Sequence, residues 1–442
     1  MFKKKLVLCI VSLLLMAIAF GCSNDSSEST GSNGSTDNGE TANDSTKEVE
    51  TVELDFVYTG DPAFRQAMTA VIDSFSEEYP NIIVKGESAT DGSYSEYLRT
   101  KDATGEFPDI FEVMDVQEYV DSGKVAELPE ELASLVRNPV TIEGKSYVLP
   151  RDSNALGYIY NKAFFEEHGL NEEPATYQEF IDVMEQVKNL DETPIAVGGQ
   201  DVWHMGFWIN HFLINNIYAD NPSWNAEMNA GEASWADEGP KKAMTQLVDL
   251  FNSGLVSENW ISTPDNQLAA LVASGKAIGF FSGPWMFTQL KEANPDFEIG
   301  FMPVPDEEGN INLFTGGTAT GFTISKELEN DPVKMEAAKT FYNYFFSKDV
   351  YSGYLKTMGT LPSTVESITY EASPEQEKLI ETYNNADVTS PPINERVGEN
   401  QIPSSFRDWY YKTVQEWILG EKDLEAELPK VDAEWKKLQD QR

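Results

Sequence analysis

Beyond residue 22 this chain has no cysteine; Cys9 and Cys22 are the only two in 442 residues. No disulfide and no thiolate metal site can support the remaining 420 or so residues, so the folded part is held by burial alone. Histidine is almost as scarce. His168, His204 and His211 stand at no metal-ligand spacing, and structural roles are the reading for all three. Cations are outnumbered, 32 Lys and Arg against 74 Asp and Glu, for a formal charge of −42. That balance excludes nucleic acid and anionic lipid as ligands, since both need a cationic surface. The acidity reads as a solvated surface, with a cationic partner as the other reading. After residue 22 no apolar run is long enough to cross a bilayer.

Signs of catalysis are missing too. Gly275-Lys276 has neither the upstream glycine nor the following Ser/Thr of a phosphate-binding loop. Gly317-Thr318-Ala319-Thr320-Gly321 has the outline of a nucleophile elbow, with alanine where the nucleophile belongs. No calcium-loop spacing occurs. Among so many carboxylates a glycosidase acid pair is neither excluded nor selected by counting. The sequence calls for no cofactor and no metal.

What is present begins at the N-terminus. Lys3, Lys4 and Lys5 precede an apolar core from Leu6 to Ile18, and Ala19-Phe20-Gly21-Cys22 has the small residue and the cysteine of a lipoprotein cleavage site. Residues 1–21 read as a signal peptide and Cys22 as a lipidated residue; the alternative is an ordinary secretory signal with Cys22 unmodified. A diacylglycerol there brings two acyl chains, enough for stable anchoring where one is marginal. Ser23 to Glu50 is Ser, Thr, Asn, Gly and acid, a tether spanning roughly 30 Å as a random coil.

The rest, with 40% apolar and 12% aromatic residues in the whole chain, can bury a core, and its length predicts two lobes rather than one. Val52, Leu54, Phe56 and Tyr58 alternate as in a strand. Asp61-Pro62 opens a helix whose apolar face is Phe64, Ala67, Met68, Val71, Ile72 and Phe75. Pro80 ends it, and Asn81 to Val84 reads as the next strand. That βαβ unit predicts a parallel sheet covered by helices. Similar signals predict a helix over Ser93–Ala103, strands over Asp109–Met114 and Ala277–Phe281, and a capping box at Thr176-Tyr177-Gln178-Glu179. Thr263-Pro264 opens a further helix that Gly275 stops, and from Asp331 onward the chain is mostly helical.

Aromatic and short polar residues gather where predicted strands end. Tyr58-Thr59-Gly60-Asp61, Met114-Asp115, Arg151-Asp152-Ser153-Asn154, Gly198 to Trp203 and Ser282 to Trp285 are such places, and Arg407 and Trp409 lie near the start of a late helix. Ligands of open α/β sheets bind beyond the carboxyl ends of the strands. Sugar suits this mixture: a pyranose offers an apolar C–H face to an indole and a rim of hydroxyls to Asp, Asn, Gln and Arg. Each residue alone has a plainer reading, core packing for a tryptophan and a helix cap for Asp61.

Four stretches carry a resemblance: YSEYLRTKDATGEFPDIF (94–111), GKSYVLPRDSNALGYIYNKAFF (144–165), SGKAIGFFSGPWMF (274–287) and GGTATGFTISK (316–326). In order and spacing the chain resembles the extracellular solute-binding proteins of carbohydrate ABC importers, the family of maltose- and multiple-sugar-binding lipoproteins. The resemblance implies an α/β, two-lobed periplasmic-binding-protein-like fold (type II), with three crossover segments and the ligand cleft between the lobes. The crossings are expected near 153–156, 302–306 and 358–363. Residues 51–154 with 306–360 would then form lobe I, and 155–305 with 361–442 lobe II. By the same resemblance Gly60 and Asp61, which follow the strand-end candidate Tyr58, match a first ligand loop and Asp115 a second, while Asp152 and Asn154 lie at the first crossing. Gln200, Asp201 and Trp203 match a far-lobe rim, Trp285 a stacking tryptophan, Gly317 and Thr318 a backbone-rich contact loop, and Arg407 and Trp409 a late helix over the sugar. Maltose binders have a tryptophan shortly before the second-loop Asp; Phe111 and Met114 occupy that region here.

The implied mechanism is hinge closure by a monomer on a sugar or oligosaccharide, with delivery to two permease subunits driven by a cytoplasmic ATPase. Moving from 1% to 99% closed requires about 5.5 kcal/mol of preference for the closed form. The implied location is the outer face of the cell membrane, with lipid as the only membrane contact. A surface glycan-degrading enzyme and a non-transport adhesin or peptide binder are the alternatives.

Overall fold

The computed structural model describes residues 51–59, 62–89, 94–113, 116–315, 320–366, 368–403 and 405–440. Residues 1–50, with the expected signal peptide, Cys22 and expected tether, lie outside the described residues, as do Gly60, Asp61, Asp115, Gly317 and Thr318. The described residues form twelve strands, in chain order β1 (Val52–Thr59), β2 (Ile82–Ala89), β3 (Ile110–Val113), β4 (Val140–Ile142), β5 (Lys145–Pro150), β6 (Gly157–Asn161), β7 (Ile195–Ala196), β8 (Gly279–Ser282), β9 (Ile299–Met302), β10 (Asn312–Phe314), β11 (Gly321–Ile324) and β12 (Val388–Ser390).

The first lobe is built on a six-stranded sheet in the order β2-β1-β3-β11-β5-β4. The expected βαβ unit is there: β1 runs parallel to both β2 and β3, with the helix Pro62–Glu78 between β1 and β2. The sheet is not parallel throughout. β11 arrives from far along the chain and lies antiparallel to β3 and β5, and β4 is antiparallel to β5. Alternation along each strand builds a core on either face. Leu54, Phe56, Tyr58 and Leu149 pack under the helices 62–78, Pro332–Phe345 and Lys348–Met358, whereas Val57, Phe111, Val113 and Val148 pack with Leu98, Val116 and Tyr119. Only glycine fits at Gly321, where a Cβ would stand 2.1 Å from the carbonyl oxygen of Leu149.

The second lobe has a four-stranded sheet, β7-β8-β6-β9, and a parallel pair, β10-β12. Tyr158, Tyr160, Phe281 and Met302 face a large aromatic core with Trp208, Trp235, Tyr410 and Trp435; Ile159, Phe280 and Phe301 face a smaller one with Met286, Leu290 and Leu379. Thr176 caps the helix Tyr177–Lys188 through Glu179 N–H. The reciprocal arm of the box lands one residue early: the Glu179 carboxylate accepts from Ala175 N–H at 2.8 Å.

Two of the expected crossings are displaced. Residues 306–314 pack with the second lobe, because β10 pairs with β12 and Leu313 and Phe314 enter second-lobe cores. The polar run that reads as a crossing is a local turn, closed by the Asp306 carboxylate accepting from Glu308 and Asn310 N–H. Likewise Gly359, at φ 68°, ends the helix 348–358, but the chain then turns back along the first lobe. Arg137 N–H donates to Ser363 O, Val365 N–H donates to Leu135 O, and Ile368 joins the first-lobe core. Near 153–156 the chain runs into the second lobe: Ser153 and Leu361 exchange backbone hydrogen bonds of 2.8 and 2.7 Å, and Ala155 and Leu156 sit in second-lobe cores.

Candidate functional site

The registers bring the carboxyl ends of β1, β3 and β5 and the start of β11 to one edge of the first sheet. At that edge lies a buried carboxylate that sequence reasoning did not single out. Glu112, fully buried on β3, accepts from Thr59 N–H at 2.8 Å and from Arg151 Nη1 at 2.5 Å. The Arg151 guanidinium lies 4.0 Å from the centre of the Phe64 ring, a cation–π contact, and its Nε is 3.7 Å from Asp152. One signal was available, a lone glutamate in the otherwise apolar run Ile110-Phe111-Glu112-Val113.

The next residues tie the exit of β5 to the helix 348–358. Tyr354 OH donates to the Asp152 carboxylate at 2.5 Å, and Tyr351 OH donates to Arg151 O at 2.8 Å. Burial pushes the Asp152 pKa up, and the neighbouring Arg151 charge and the Tyr354 bond pull it back. This tyrosine pair fixes the strand exit, so Asp152 is both a wall of the site and a strut of the hinge.

A cavity of about 480 Å³ opens beside this network. Arg151, Asp152 and Asn154 form one wall, with Met358 and Thr360 from the end of the 348–358 helix. The facing wall is a single stripe of the helix Trp285–Ala293, where Trp285, Thr288, Gln289 and Glu292 recur at i, i+3, i+4 and i+7; Asn266 completes it. Three sequence-predicted residues, Asp152, Asn154 and Trp285, thus line one cavity with the polar and aromatic character a sugar needs. A row of rings leads away from it. Trp203, 45% exposed, lies 5.6 Å from Phe207, which lies 5.8 Å from Trp285. Phe207, i+4 from Trp203 on the helix Val202–Leu213, was not anticipated.

Other candidates fall elsewhere. Tyr58 is 5% exposed and packs edge-on against Phe64 in the first-lobe core, because strand alternation puts it on the face of Leu54 and Phe56. Asp201 is used by its own loop: its carboxylate accepts from Asp265 N–H at 2.8 Å, and Asp265 in turn bonds His204 Nδ1 at 2.8 Å. Gln200 is exposed beside it. Arg407 pairs with Asp408 at 2.8 Å, and Trp409 packs on Phe406 at 5.9 Å; among the described residues no ring contact links Trp409 to Trp203 or Trp285.

His211 is buried further along the 202–213 helix, where burial pushes its pKa down to about 3 against a small upward pull from Asp306. Unfolded histidine takes up its proton near pH 6.5 and this one does not, so the unfolded state binds more protons between those values and stability falls as pH falls. Between pH 7 and 5 about 2 kcal/mol should be lost from this source. Urea midpoints at the two pH values measure it, and His211→Phe should lack that increment.

Residues 70–382 match the family model described as bacterial extracellular solute-binding protein. The chain belongs to that family. Membership makes it an extracytoplasmic solute binder, and among the described residues no helix is long and apolar enough to cross a membrane. Its relatives include the multiple sugar-binding protein of Streptococcus mutans, 27% identical over 62% of this chain and 69% of that one. Another is the melibiose/raffinose/stachyose-binding protein of Bacillus subtilis, 21% identical over 62% and 65%. Among solved structures, a chitin oligosaccharide binding protein superposes with a TM-score of 0.74 at 21% identity, over 88% of this chain and 98% of that one. A raffinose-bound solute-binding protein gives 0.69 at 20% identity, over 88% and 100%. These neighbours establish the two-lobed fold; their names describe binding proteins, not enzymes.

Proposed function

We propose that this chain captures a sugar or short oligosaccharide and hands it to an ABC importer. The observation that carries the reading is the cavity itself, where an indole on the second lobe faces an amide, a carboxylate and a guanidinium at the hinge. An indole covers the C–H face of a pyranose while the amides and charged groups bond its hydroxyls. Contacts from the second wall form fully only when the lobes close, and that difference in affinity is what shifts the population. The relatives that bind multiple sugars, raffinose or chitin oligosaccharides support the ligand class. Two permease subunits with a cytoplasmic ATPase are the implied recipients, with the chain acting as a monomer.

On this reading Cys22 carries the lipid that holds the protein at the outer face of the membrane, and Cys22→Ser should release the protein into the medium and abolish palmitate labelling. Retention at the membrane without the cysteine would remove the anchor from the account. Gly60, Asp61, Asp115, Gly317 and Thr318 remain proposed contacts on the strength of the family resemblance, and so do Gln200, Arg407 and Trp409. The test of function is a thermal-shift screen of the purified chain against mono- and oligosaccharides, followed by chromatography of the recovered sugar. A raised midpoint with the sugar returned intact is expected; new reducing ends would mean an enzyme, and no shift with any saccharide would overturn the reading.

A further inference from the structure

Among the described residues lining the cavity there is one cation, Arg151, against two carboxylates, Asp152 and Glu292. Arg151 is moreover held from behind by Glu112, which is fully buried and 2.5 Å away, with Asp152 at 3.7 Å on its other side. Two carboxylates therefore already share its charge. An acidic sugar entering the cavity brings a carboxylate or phosphate that must lose water and find a cationic partner. Taking Arg151 as that partner would draw it off Glu112 and leave a buried carboxylate uncompensated. A hydroxyl makes no such demand, because it bonds a guanidinium that stays paired.

We infer that the Glu112–Arg151 pair makes this site selective for uncharged saccharides, rejecting uronates and sugar phosphates. The inference rests on the saccharide reading above and narrows it. Arg151 then acts as an oriented hydrogen-bond donor rather than as an anion receptor, with Glu112 as its positioning residue.

Calorimetry on the mature chain at low salt would compare raffinose, xylotriose and chitotriose with trigalacturonate and glucuronic-acid-bearing xylotriose. The wild type should prefer the best neutral trisaccharide by at least about a hundredfold over either acid. Glu112→Gln, which leaves Asp152 but removes the closer of the two carboxylates sharing the charge of Arg151, should narrow that ratio at least about tenfold, and the acid affinity it gains should fall with added salt. Should Glu112→Gln not fold, Glu292→Gln at an exposed helix position tests the same electrostatics and should narrow the ratio about threefold. An acid bound as tightly as the neutral sugars by the wild type overturns the inference. So does a ratio unmoved in the folded variants. Retention of neither kind of sugar overturns the saccharide reading itself, and this refinement with it.

Discussion

Trp285→Ala is expected to weaken saccharide binding at least tenfold, a loss of about 1.4 kcal/mol or more. The indole supplies the aromatic surface of the cavity wall formed by the 285–293 helix, and the other members of its stripe, Thr288, Gln289 and Glu292, are polar. Truncating an aromatic anchor in a desolvated pocket commonly removes about 2 kcal/mol or more of binding energy. The same indole packs on both second-lobe cores and lies 5.8 Å from Phe207, but it remains partly exposed, so the thermal midpoint should fall only slightly. Titration calorimetry beside a melting curve separates the two effects. Unchanged affinity would remove Trp285 from the site.

The larger effect on folding should come from Glu112→Ala. It strips the carboxylate from a guanidinium whose side chain is only 16% exposed, and it leaves Thr59 N–H without its acceptor. Breaking a buried ion pair from one side costs about 3–5 kcal/mol, because the surviving charge stays buried without its partner. The exposed pair Arg99–Glu118 sets the contrast, since loss of a solvated pair has little effect. Urea denaturation of the two variants measures the difference. Equal midpoints for Glu112→Ala and Arg99→Ala would contradict the role of Glu112 as the buried partner that holds Arg151.

How far the sequence reached depends on how local each signal is. The first strand, expected through Val52, Leu54, Phe56 and Tyr58, runs from Val52 to Thr59, and the helix expected from Ser93 runs from Tyr94 to Thr104, because alternation and helical spacing are written in adjacent residues. The order of the first sheet was not legible. β11 enters between β3 and β5 from about two hundred residues downstream, and nothing near Gly321 announces that it runs antiparallel. Two of the crossings were misplaced for a related reason. A turn rich in Asp, Glu, Gly and Asn looks the same whether it links lobes or, as at Asp306, closes on its own backbone.

The site divides in the same way. Trp285 was legible because Gly283-Pro284 ends a buried strand and starts a helix at the strand's carboxyl edge. Tyr58 was misread because one step of alternation decides between cavity and core, and it falls on the core side. The bond Asp201 makes within the fold was not legible, because its partner, the Asp265 backbone, is 64 residues away. The pairing of Glu112 with Arg151 spans 39 residues and two strands, and only the fold brings it together.

The central claim is that ligand closes two lobes over the cavity between the β5 exit and the 285–293 helix. Small-angle scattering of residues 23–442 tests it most directly, recorded with and without a saccharide that raises their melting temperature. The account predicts a smaller radius of gyration with sugar and a reduced change in Trp285→Ala at the same concentration. Superimposable profiles for the wild type, under saturation confirmed by calorimetry, would contradict it.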